Sequence, residues 1–137
     1  MEASAATGRT VSLAIPAKPD YVVLARLALS AVCRLSPIVP EQVADLKLSI
    51  TEAANYLMGG ERRLSAREGE PGGATQLTFT YEITDDALHL AVSGDERPTV
   101  SEEERELSLA LIKATVDSYE LDAGTMRLTK RLVPVED

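Results

Sequence analysis

LTFTYEITDDALHLAV, residues 77–92, decides the architecture. Leu77, Phe79 and Tyr81 alternate with Thr78 and Thr80, and beyond Thr84-Asp85-Asp86 the alternation resumes with Leu88, Leu90 and Val92. Two period-two segments joined by a short polar turn predict an antiparallel hairpin with one apolar face. That face needs a cover, and helical patterns lie on both sides of it in the chain. Upstream, Leu24, Leu27, Ala28, Ala31 and Leu35 form one stripe of a helix that opens near Pro19 and Asp20 and stops at Ser36-Pro37. A second helix is expected from Pro40 and Glu41, with Val43, Leu46, Ile50, Ala53, Ala54 and Leu57 buried, and Gly59-Gly60 ending it. Downstream, Ser101 and Glu104 form a capping box for a helix carrying Leu109, Ile112, Val116 and Tyr119.

Strands complete the pattern at both ends. Val11, Leu13 and Ile15 alternate with Ser12 and Ala14 before Pro16, and TMRLTKRLV closes the chain after a turn at Gly124. The order β-α-α-β-β-α-β predicts an α+β fold, a two-layer sandwich with a mixed, mostly antiparallel sheet and its helices on one face. Residues 11–137 are expected to form one domain after a disordered leader at 1–10, with a mobile loop near 59–74, where Gly and charge crowd without periodicity.

Composition narrows the function classes. The 137 residues suit a single core, and no stretch approaches the roughly 20 apolar residues of a membrane span. The start of the chain has no signal-like pattern, so a cytoplasmic location is expected. A net charge of −8 disfavours nucleic acid and favours a protein partner with basic surface. The single Cys33 reads as a packed or interface thiol, and His89 as a structural or surface histidine. No metal site is expected from these residues.

The second helix holds the candidate chemistry. At about 100° per residue, Leu48, Glu52, Asn55 and Tyr56 share a face opposite the core stripe. A carboxylate and an amide there suit Mg²⁺, but the spacing alone favours a solvated helical face. On the first helix Arg26 lies opposite the stripe expected to be buried, among Val22, Leu29 and Cys33. A cation ringed by exposed apolar side chains is the make-up of a protein-binding surface.

AIPAKPDYVVLARLALSAV, VADLKLSITEA and the closing MRLTK resemble, in colinear order, the RsbW-like anti-sigma factors that double as serine kinases in bacterial sporulation and stress pathways. The resemblance implies the Bergerat (GHKL, HATPase-like) ATPase scaffold. It implies a sigma factor or a STAS-type anti-anti-sigma protein as partner, a homodimer, and a partner-contacting role for Arg26 with Val22 and Leu29 beside it. The departures fall where that family binds nucleotide. Glu52 matches the family's base, but its Mg²⁺-ligating Asn belongs four residues on, where Tyr56 stands, and the nearest amide is Asn55. Gly94 occupies the place of the adenine-gripping Asp, with Asp95 one residue late. Glutamates at 102, 103, 104 and 106 stand where glycines should open the last helix. The expectation is therefore a regulator that binds its partner without a cofactor, a pseudokinase. The alternative is a divergent serine/threonine kinase, with Glu52 as base and Asn55 and Asp95 holding Mg-ATP.

Overall fold

The computed structural model describes residues 9–36, 38–59, 74–96 and 98–132. The expected leader as far as residue 8 and the loop 60–73 lie outside the described residues. Five strands, β1 (Arg9–Pro16), β2 (Gln76–Ile83), β3 (Ala87–Gly94), β4 (Ser118–Asp122) and β5 (Thr125–Arg131), form one sheet in the order β1-β2-β3-β5-β4. Every pairing is antiparallel, where a mixed sheet was expected. Three α-helices accompany it: α1 (Val22–Cys33), entered through a 3₁₀ turn at Pro19–Tyr21, α2 (Pro40–Leu57) and α3 (Glu102–Thr115). The α+β sandwich is as expected, with one more strand.

That strand, β4, was hidden by coincidence. Leu109, Ile112, Val116 and Tyr119 keep helical spacing, but the helix stops at Thr115 and Val116 is extended at φ −127°. Tyr119 therefore sits in β4, paired opposite Leu128, with a tight Ala123-Gly124 turn leading into β5. Ala123 takes φ 54° to make that turn, a left-handed conformation that a side chain ordinarily avoids. At the other end β1 starts two residues early, with Arg9 paired to Ile83 and Thr10 to Glu82, so the expected leader is shorter by those two.

The alternation read from the hairpin matches the burial. Leu77, Phe79, Tyr81, Leu88, Leu90 and Val92 are all buried, joined by Met126 and Leu128 of β5. Against them pack Leu46, Ile50, Ala53, Ala54 and Leu57 of α2, the stripe expected there apart from the half-buried Val43. Gly59 ends α2 at φ 100°, a position suited to glycine. The Ser101–Glu104 capping box opens α3, with the Glu104 amide 3.1 Å from Ser101 Oγ.

The first helix is turned the other way from the expectation. Val22, Ala25, Leu29, Val32 and Cys33 face the core, while Leu24 (42% exposed), Leu27 (61%) and Leu35 (54%) face outward. VVLARLALSAVC is apolar nearly all round, so two stripes compete and periodicity cannot rank them. Packing decides: Ala25 is small enough to bring α1 close to the sheet, where Tyr81 Oη donates a 2.8 Å bond to the Ala25 carbonyl. Desolvation pushes that phenol's pKa up, keeping it neutral and donating.

Candidate functional site

Helix α2 is the middle of the helical layer and carries the candidate residues. Pro40 opens it, and Gln42 reaches back with Oε1 to the Val39 amide (3.4 Å) while its Nε2 donates to the Arg131 carbonyl (2.9 Å). On one side α1 is tied to it by Arg26, whose Nη1 donates to Thr51 Oγ1 at 3.3 Å; that hydroxyl in turn donates to the Lys47 carbonyl at 2.7 Å. On the other side α3 runs antiparallel to it. Ser108 Oγ donates to Glu52 Oε2 at 3.1 Å, and further along Lys130 Nζ lies 2.9 Å from the Thr115 carbonyl and 3.5 Å from Asp45 Oδ2. Lys130 thus places a cation at the negative end of α3.

The four residues expected on one face of α2 separate. Leu48 and Asn55 are exposed, Glu52 is half-buried against α3, and Tyr56 is buried at 6%, which corrects its placement beside the others. Four residues on from Glu52, the side chain enters the core. Ser108, Glu52's partner, was not singled out from sequence; the serine interrupting the apolar run Leu107 to Ile112 is the one sign of it.

Asp95 is occupied elsewhere. Its Oδ1 accepts from the amides of Thr75 (2.7 Å) and Gln76 (3.2 Å), and its other oxygen accepts from the Thr75 hydroxyl. The Thr75 hydroxyl and then the amides hold the carboxyl below the usual carboxylate range, and the whole arrangement ties the end of β3 to the start of β2. Among the described residues no hydrogen bond joins Asp95, Glu52 and Asn55.

Gly94 is closed to any side chain. A Cβ there would stand 2.7 Å from Ala74 Cβ, and Ala74 is fully buried. The position where the resemblance calls for an adenine-gripping Asp therefore has no room for one as the chain is packed. Along the outward side of the first turns of α3, Ser101, Glu103, Glu104, Glu106 and Leu107 line a shallow acidic groove. Negative charge suits the helix dipole there and opposes an anion.

Val22 and Leu29, expected to be exposed beside Arg26, are 3% and 0% exposed and belong to the core. Arg26 itself is half-buried, and the exposed apolar residues nearest it are Val23, one turn before it, and Leu27, next to it in the chain. Cys33 is buried, as a packed thiol should be, and burial pushes its pKa up against an opposing pull from Lys47. His89 is half-buried on the face of the sheet away from the helices, 3.3 Å through Nδ1 from Thr129 Oγ1.

No protein-family model matches the chain. Serine-protein kinases RsbW do. That of Listeria innocua serovar 6a is 35% identical over 83 residues, which are 61% of this chain and 48% of that protein. RsbW of Bacillus pumilus is 32% identical over a segment of the same length and coverage. Over that segment the chain is similar to RsbW. It spans about half the length of the curated relatives it matches. A crystal structure of the RsbU and RsbW domains of a Mycobacterium tuberculosis protein superposes with a TM-score of 0.66 over 90% of this chain and 32% of that one, at 17% identity. At that identity the likeness extends the shared fold to nearly the whole RsbW-like chain. Among the described residues no helix is long and apolar enough to cross a membrane, and no cluster of three or more His, Cys, Asp or Glu is arranged to hold a metal.

Proposed function

We propose that this RsbW-like chain is an anti-sigma-factor-like regulator that holds a sigma factor, or the STAS-type protein that displaces it, by protein–protein contact without ATP. The observation that carries this reading is the Ser108–Glu52 hydrogen bond, which engages the carboxylate that a kinase would need as base in the contact between α2 and α3. The residues around it fit Mg-ATP poorly. Tyr56 is turned into the core, Asp95 is spent on Thr75 and Gln76, and Gly94 cannot carry a carboxylate without displacing Ala74.

The contact surface we assign to Arg26, with Val23 and Leu27 as its exposed apolar neighbours. Thr51 holds the guanidinium in place, so less side-chain freedom is lost on binding than for an untethered arginine. The protein acts in the cytoplasm as a homodimer in this reading. A pseudokinase role in a sporulation or stress switch belongs to the same proposal.

The second reading, a divergent Mg-ATP-dependent serine/threonine kinase, rests on Glu52 being retained and on Asn55 standing exposed one turn away. Capture of purified sigma factors and STAS-type proteins by the nucleotide-free chain tests the proposal. Arg26→Ala is expected to weaken capture by about 2 kcal/mol, some thirtyfold, with thermal melting little changed. Capture that needs Mg-ATP, or that ignores the Arg26 change, would overturn it.

A further inference from the structure

Beyond Arg26 the seam between α1 and α2 opens into a groove whose lining includes Ser30, Cys33 and Arg34 from the end of α1, and Ile38, Val43 and Lys47 from the start of α2 and the residues before it. Its floor is apolar: Cys33 is buried, and Ile38 and Val43 pack half-buried on the core. Its walls are basic, with exposed Arg34 on one helix and half-buried Lys47 on the other. Among the described residues no carboxylate pairs with either cation, Asp45 being taken by Lys130. In a chain of net charge −8, two cations facing each other across an apolar floor oppose the sign of the molecule.

We propose that this groove docks an acidic segment of a partner protein, one large apolar side chain of which fills the space over Cys33 and Val43 while flanking carboxylates meet Arg34 and Lys47. A channel between two antiparallel helices suits an elongated ligand laid along it with apolar anchors, and opposite charge at the rim fixes its register. Arg26 lies eight residues before Arg34, about 12 Å along the helix at 1.5 Å per residue, so one partner segment can reach both. The inference deepens the partner-binding reading above and rests on it for the source of the segment.

Cys33, the single cysteine, reports on the groove it floors. The probes are two helical peptides with the same pair of leucines one turn apart, one flanked by glutamates and one by lysines. The acidic peptide is expected to bind, seen by fluorescence anisotropy, and to slow iodoacetamide alkylation of Cys33 severalfold, while the lysine peptide does neither. Arg34→Glu with Lys47→Glu should weaken the acidic peptide about tenfold and admit the basic one. Arg34→Glu alone, which leaves the charge nearest the thiol in place, should give an intermediate loss. Equal binding of both peptides, no binding of either, binding that leaves alkylation unchanged, or an unaltered preference in the double variant would overturn the proposal. So would protection that grows with protein concentration alone, which would assign the groove to a second copy. Arg26 is intact throughout and no sigma factor is used. Lost sigma-factor capture with peptide binding preserved would therefore count against the function and leave the groove standing.

Discussion

Replacing Leu29 and Leu27 separately with alanine tests the orientation of α1, on which every statement about its contact surface depends. Leu29 is fully buried in the cluster that joins α1, α2 and the sheet, whereas Leu27, two residues earlier, is 61% exposed. Truncating a buried leucine removes its transfer free energy and leaves a cavity that the surroundings only partly fill, at a cost of about 2–5 kcal/mol. Against a total stability of about 5–15 kcal/mol, a loss of 3 kcal/mol is large and lowers the melting temperature by roughly 10 °C in a chain of this size. Leu27→Ala removes a side chain that is mostly wet and introduces a better helix former, so its effect should stay within about 0.5 kcal/mol. Urea unfolding followed by circular dichroism measures both, provided the slope with denaturant is unchanged. Equal losses, or a larger loss for Leu27→Ala, would mean that α1 presents its other stripe to the core and that the assignments of Val22, Leu29 and Arg26 must be exchanged.

Three other outcomes follow from the site. Gly94→Asp, which supplies the carboxylate that the resemblance calls for, should destabilise the chain by about 1–3 kcal/mol because of the Ala74 contact, and should not create ATP binding in a calorimetric titration. Asp95 titrates lower folded than unfolded, so its contribution is present above the unfolded value and fades as the pH falls through the folded one. Asp95→Asn should therefore flatten the decline of the urea midpoint between about pH 5 and pH 3. Cys33 has the opposite sign. Its raised pKa favours the protonated thiol in the fold, a contribution held below the unfolded value and lost as the pH rises through the folded one. Its alkylation rate should accordingly climb at higher pH than that of a small free thiol.

The hairpin and the buried stripe of α2 were legible in the sequence because their core residues repeat at one clear period, and the start of α3 because Ser101 and Glu104 stand at the three-residue spacing of a capping box. Where a segment offered two answers the sequence could not choose. The first helix has apolar residues on both faces, and its orientation is set by the Ala25–Tyr81 contact, made 56 residues away along the chain. The fourth strand was read as helix because Tyr119 continued a spacing begun by Leu109. In the site, the identities at Glu52, Asn55, Gly94 and Asp95 could be read directly, but their neighbours could not. That Ser108 engages Glu52, that Thr75 and Gln76 engage Asp95, and that Ala74 blocks position 94 are long-range contacts with no local pattern.

Independence from nucleotide is the central claim, and titrating Mg-ATP into the chain by calorimetry, with Glu52→Gln alongside, tests it most directly. Neither protein is expected to give saturable heat below millimolar ATP. Micromolar binding by the unaltered chain that disappears in Glu52→Gln would contradict it and restore the kinase reading.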